Sequence, residues 1–260
     1  MQSIEPEQEE QPEESKPRTR RWAIFRSVGS AILTLVFVVG LGGALLALFH
    51  PETPLPPEWN PTVPLAVAHP VTPLTSSKLH MALNDPEQCR EVLATAAQFT
   101  PMDPFEATEN CHIRNRVALS VVGATRIDRI ETSCATALRM AMWERHGVQP
   151  AAQKYLGASA TVFRQVGSYN CRPIRTSQGT GNRWSTHSTG DAIDIIGFDF
   201  SDGRRIRLVN DWDDGTEEAQ FLHAVRDSAC TWFATTLGPD YNSLHADHFH
   251  LQARGWGTCR

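Results

Sequence analysis

Apolar and polar positions divide this chain sharply. From Ser27 to Pro51 there is no Asp, Glu, Lys or Arg, and Val28 to Phe49 is apolar apart from glycines, Ser30 and Thr34. About 20 apolar residues span a bilayer core, so a transmembrane helix is predicted over residues 27–50. A cleaved signal sequence fits less well. Its apolar core runs to ~15 residues, and no clean small-residue cleavage site follows here. Farther along, Asp85 as N-cap and Pro86 at the first position open a helix expected over Pro86–Phe99. His112–Val122 turns from polar to β-branched and reads as a strand. Ala135, Leu138, Ala141 and Met142 form a helical stripe within Ser133–His146, capped by Thr132 or Ser133 and stopped at Gly147. Gln149–Leu156 reads as a second, short helix.

The remaining pattern is mixed. Val162–Cys171 reads as a strand and the Ser/Thr/Gly/Asn-rich stretch Thr176–Thr189 as a loop. Ala192–Phe200 and Arg204–Val209, joined by Ser201-Asp202-Gly203, form an expected β-hairpin. Glu217–Leu237 carries a helical pattern ending at Gly238, and His248–Ala253 is a short strand. Strands and helices mix without βαβ alternation, which makes the class α+β: a small antiparallel sheet flanked by helices, preceded by one transmembrane helix.

Charge adds orientation. The net charge is −5, and Met1–Ser15 is acidic and nearly devoid of apolar residues, a disordered tail in composition. Lys16, Arg18, Arg20, Arg21 and Arg26 crowd the near flank of the apolar run, whereas the far flank has no basic residue before Lys78. The positive-inside rule therefore puts residues 1–26 in the cytoplasm and everything after residue 50 outside. Prolines 51, 54, 56, 57, 61, 64, 70 and 73 make residues 51–75 an extended spacer holding the domain, residues 76–260, off the membrane. No basic block follows residue 75, which argues against a nucleic-acid partner. All six cysteines lie beyond the apolar run, so three disulfides are expected. Fifteen pairings are possible and the sequence alone does not choose among them; pairing near neighbours in order gives the preferred set, Cys89–Cys111, Cys134–Cys171 and Cys230–Cys259. Oligomeric state is not readable.

Two segments carry the candidate chemistry. In His245-Ala246-Asp247-His248-Phe249-His250, strand alternation points His248 and His250 to one face and Phe249 and Leu251 to the other. In His187-Ser188-Thr189-Gly190-Asp191-Ala192-Ile193-Asp194, Gly190 allows a sharp turn that folds His187 back toward Asp194. A carboxylate on an otherwise apolar strand face needs a partner or a metal. Two histidines and one carboxylate are a usual three-ligand zinc set that leaves a fourth position for water. No HExxH occurs. A third segment, Ser168-Tyr169-Asn170-Cys171-Arg172, is weaker. Trp184 and Trp256 could line a groove, and Asp191 and Asp247 read as supporting residues.

These motifs resemble the bacterial extensin-like C-terminal domain family over about residues 58–260, including the Cys134 helix, the G-S-Y-x-C-R segment and the terminal H-x-x-H-F-H. That family looks related to the LAS metallopeptidases (lysostaphin, D-Ala-D-Ala peptidases, sonic hedgehog), whose pattern is H-x(6)-D followed by H-x-H. The H-x-x-H-F-H run is especially like that of penicillin-insensitive murein endopeptidases. The resemblance implies His187, Asp194 and His250 as ligands of Zn2+, His248 as a proton-transfer or transition-state group, and His245 as a further active-site histidine. Arg172 would hold a substrate carboxylate or the scissile carbonyl, although Cys171 interrupts the related pattern. The implied protein is a zinc peptidase of the bacterial inner membrane, acting in the periplasm on peptidoglycan peptides. The rival expectation is a zinc-containing domain that binds cell-wall peptides or organises a complex without cleaving them.

Overall fold

A computed structural model of the protein describes residues 18–50, 55–176, 178–213, 215–255 and 257–260. The acidic tail to Ser15, residues 51–54 and Trp256 lie outside the described residues. The chain divides at Leu55 and Pro56 into two compact units. In the first, α1 (Arg18–Phe49) is one continuous helix, and its Arg26–Leu48 segment is long and apolar enough to cross a membrane. Leu33, Phe37 and Leu46 are exposed on it. Leaving such side chains in water is unfavourable, which is why an all-round apolar helix needs a bilayer or a protein cover.

The second unit begins at Pro56. The prolines do exclude regular structure at its start, but the stretch expected as an extended spacer over residues 51–75 folds onto the unit from residue 56 onward. Leu65 and Val67 are buried in its core, and Lys78 Nζ donates to Pro57 O at 2.7 Å. Then follow α2 (Thr75–Asn84), α3 (Pro86–Ala94), β1 (Ala97–Pro101), β2 (Phe105–Thr108), β3 (Cys111–Ile113), β4 (Arg116–Val122) and β5 (Thr125–Ser133). Next come α4 (Cys134–Trp143), a π-helical turn over Glu144–Val148, α5 (Gln149–Leu156), β6 (Ala160–Gly167), β7 (Pro173–Thr176) and β8 (Gly179–Trp184). The order ends with β9 (Ala192–Phe200), β10 (Arg205–Arg207), α6 (Leu208–Asp211), α7 (Glu217–Trp232), β11 (Thr235–Leu237) and β12 (Phe249–Gln252).

The class is α+β, as expected, but the sheet is not small. Its eight strands run β1-β4-β5-β6-β9-β12-β11, with β10 also on β9. Every pair is antiparallel except β5 with β6, which pair in parallel across the α4–α5 crossover. Parallel neighbours need a long connection, and the helices supply it. That single βαβ unit was not legible, because β5 (TRIDRIETS) carries too many charges to look like a buried strand.

Helix starts follow their caps. Asp85 accepts from Glu87 N at 2.9 Å with Pro86 at the first position, and Ser133 accepts from Thr136 N at 3.2 Å. Helix ends follow packing instead. The helix expected over Pro86–Phe99, α3, stops at Ala94 because Ala97–Pro101 pairs with β4. Gly147 does not stop α4; the chain runs through the π turn into α5. A Cβ there would meet Ser228 Oγ of α7 at 2.3 Å, so the glycine marks a close helix contact. Residues 176–189, expected as loop, contain β8 of the β7–β8 hairpin and a 3-10 turn. The helix begun at Glu217 ends at Trp232, and Thr235–Leu237 joins the sheet.

Trp143, Phe163, Phe198 and Phe221 are fully buried where α4 and α7 meet β6 and β9. Their rings touch in sequence, with centroids 5.6, 5.7 and 5.1 Å apart. Burying side chains of this size contributes roughly 2–3 kcal/mol each. Three disulfides staple the unit, and two differ from the expected pairing: Cys89–Cys134 joins α3 to α4, and Cys111–Cys171 joins β3 to the segment after β6. Cys230–Cys259 is as expected. Neighbours in sequence were the wrong guide, because α3 lies against α4 and brings the Cα atoms of Cys89 and Cys134 to 6.2 Å.

Candidate metal centre

Adjacent strands place two of the three candidate ligands. In the β12–β9 register His250 lies directly opposite Asp194. Ile193, Ile195, Phe249 and Leu251 face the core, so Asp194 and His250 share the other face. A 3-10 turn over Thr186–Thr189 brings in the third. Ser185 Oγ accepts from His187 N at 3.3 Å, and Gly190 ends the turn at φ +64°. The Gly190 carbonyl oxygen is held by Ser133 N, Thr132 Oγ1 and Thr136 Oγ1, each at 3.0 Å. This buried set of donors fixes the turn on β5 and α4.

The result is a tight triangle. His187 Nε2 lies 3.0 Å from His250 Nδ1 and 3.1 Å from Asp194 Oδ2, and His250 Nδ1 lies 2.7 Å from Asp194 Oδ1. His187 and His250 are buried at 3% and 8% exposure. Among the described residues this is the one such cluster of three metal-type ligands. His187 Nδ1 sits 2.7 Å from the Ser168 carbonyl oxygen. A carbonyl can only accept, so Nδ1 carries the ring proton and the neutral ring has a bare Nε2. That lone pair is aimed at a carboxylate, another lone-pair donor. The contact is unfavourable unless a proton or a cation sits between them, and the donor set suits a metal. Burial alone would raise the Asp194 carboxyl, but where His187 and His250 are protonated their hydrogen bonds and charge outweigh it and hold it well below the usual carboxylate range.

The other candidates gather around this triangle. His248, in the turn before β12, reaches Asp194 Oδ1 with Nε2 at 3.7 Å. His245 has its ring centroid 5.2 Å from that of His248 and 5.7 Å from that of His250. Burial, then the neighbouring His250 and His248, push its pKa down to about 4. Arg172 is only partly enclosed. Its burial and the nearby Arg175 lower its pKa, opposed by attraction to Asp194, which places it in the field of the cluster. Trp184 is exposed one residue before Ser185. Asp191 is engaged elsewhere, with Thr189 Oγ1 at 2.7 Å and Arg254 Nε at 2.9 Å.

A family model described as extensin-like protein C-terminus matches residues 87–260. The chain belongs to this family. No curated protein and no solved structure matches it. The extensin-like region contains every candidate residue, the aromatic core and all three disulfides. Within it, Ser168 is the site residue that sequence reasoning passed over. Its carbonyl orients His187, and its hydroxyl lies 2.6 Å from Ala192 O and 2.7 Å from Thr132 Oγ1. The G-S-Y-x-C-R segment was the available signal, but a serine is too common a residue type to mark its role without the fold.

Proposed function

We propose that the extensin-like domain is a zinc peptidase that hydrolyses amide bonds in peptidoglycan peptides, on the periplasmic side of a membrane that α1 spans with its N-terminus in the cytoplasm. The observation that carries this reading is the bare Nε2 of His187 converging with Asp194 and His250. It supports a cation at the centre and matches the relationship to LAS metallopeptidases suggested by H-x(6)-D and H-x-H. His187, Asp194 and His250 would hold the ion and leave a fourth position open. A bound zinc ion supplies Lewis acidity at the scissile carbonyl and a nucleophile at neutral pH. His248, with Nε2 directed at the cluster, would take up and return the proton or hydrogen-bond the developing oxyanion. His245, neutral at physiological pH, would accept a hydrogen bond. Arg172 would orient a carboxylate or carbonyl of the peptide.

The test uses the full chain in detergent micelles, with isolated peptidoglycan sacculi, with and without a chelator. Mass spectrometry of released fragments should show chelator-sensitive peptide cleavage, and the masses name the bond. His250→Ala should lose both metal and cleavage. Full activity in that variant would sink the site assignment. A zinc-loaded, folded protein that releases nothing would instead be a cell-wall binding or scaffolding module.

A further inference from the structure

Two histidines beside the triangle are each held from behind by a side chain outside the triangle itself. His248 Nδ1 lies 2.8 Å from Asp247 Oδ1. His245 Nδ1 lies 2.7 Å from Asn242 Oδ1. The Asn242 oxygen also receives Leu244 N at 3.0 Å, and only the amide oxygen can accept that backbone hydrogen, so the oxygen is the atom facing His245. Both acceptors therefore dictate the same tautomer. The proton of each neutral ring sits on Nδ1, and Nε2 is left bare. His187 obeys the same rule through Ser168.

The consequence differs from simple packing. His248 Nε2 stands 3.7 Å from Asp194 Oδ1, beyond hydrogen-bond reach but close enough for one atom bound at the cluster to contact both. With the opposite tautomer, the ring would present an N–H there and could not accept a proton. Asp247 is largely exposed and adjacent in sequence, so its contact adds little to folding. Its geometric effect falls on one ring alone. Asn242 combines the same action on His245 with capping of the 3-10 turn Ser243–His245.

We infer that Asp247 is a positioning residue that holds His248 in the Nδ1–H tautomer with Nε2 toward the cluster, and that Asn242 does the same for His245. The inference rests on the peptidase reading for its effect on rate, but not for the tautomers themselves. The experiment is nitrogen-15 NMR of the full, metal-free chain in micelles with histidine-selective labelling, followed by steady-state hydrolysis of a cell-wall peptide by zinc-loaded protein. The wild type should show both rings with the proton on Nδ1. Asp247→Ala should move His248 toward the Nε2–H form and lower kcat about tenfold, with KM and zinc content unchanged, as for loss of a group that orients an active-site histidine. Asp247→Asn keeps an acceptor oxygen and should recover the tautomer and most of kcat. Asn242→Asp should likewise preserve the His245 tautomer, and Asn242→Ala should lose it. A wild-type His248 protonated on Nε2, or an Asp247→Ala spectrum identical to wild type, would overturn the inference. If the wild type cleaves nothing, the peptidase reading fails, and the tautomers still decide the positioning.

Discussion

At the scale of single residues, the site depends on groups with very different visibility. Gly190 holds a positive φ, and an added Cβ would lie 3.2 Å from Ile113 and from Ser133 N. Gly190→Ala should destabilise the domain by about 1–2 kcal/mol from the left-handed backbone alone, read as a lower midpoint in chemical denaturation. It should also weaken metal binding, because His187 rides on that turn. Ser168→Ala should keep the carbonyl that orients His187 and lose only the buried hydroxyl, costing about 1–3 kcal/mol with metal affinity largely retained. If Ser168→Ala instead removes metal binding, the carbonyl is not what sets the ring. His187, Asp194 and His250 were legible because each motif is local and its residue types are unusual on an apolar background. Ser168 and Thr132 were not, because common hydroxyl residues gain their role only when β5, β6 and β9 lie side by side.

At the scale of elements, caps and alternation carried the reading, and tertiary contacts corrected it. Asp85, Ser133 and the β9–β10 turn announced themselves, whereas the ends of α3, α4 and α7 depended on partners far away in sequence. Cys111–Cys171 has the clearest functional weight. Cys171 follows Asn170, whose N–H bonds His187 O at 3.0 Å, and precedes Arg172, whose carbonyl accepts from Ser185 N at 3.1 Å. Replacing Cys111 and Cys171 together by serine should cost about 2–4 kcal/mol of stability. Loosening the ligand-bearing turn should also lower zinc affinity by about tenfold, measurable by competition with a chelating dye. Unchanged affinity would mean that the hydrogen bonds hold the turn without the staple. The segment before α2 is the other correction. Prolines suggested a spacer, but Leu65 is buried, and Leu65→Ala should cost about 2 kcal/mol. A soluble version of the domain that starts at Thr75 should melt lower than one that starts at Pro56.

At the scale of the whole molecule, the cluster makes the fold sensitive to acid. In metal-free protein, burial first of all holds His250 and His245 below the ordinary histidine range, the latter at about 4. In the unfolded chain both protonate near the ordinary histidine value of 6.5. As pH falls from about 6.5 to about 4, the unfolded state binds more protons and stability declines. Asp194, depressed in the folded state, adds stability that is present above its unfolded value of 3.8 and is lost as pH falls through its lower folded pKa. A series of thermal melts of chelator-treated protein from pH ~7 to ~4 should show a falling Tm, and His245→Gln should flatten part of that slope. A level profile would contradict the burial of these rings. The eight-stranded sheet also sets an order of assembly. His187 and Asp194 belong to one local stretch, but His250 joins them only through β12, which is made 56 residues after Asp194. During synthesis the chain therefore carries an incomplete ligand pair for the whole interval between them. A product broken off anywhere in that interval has two of the three candidate ligands, β6 but not β12 beside Asp194, and no complete triangle.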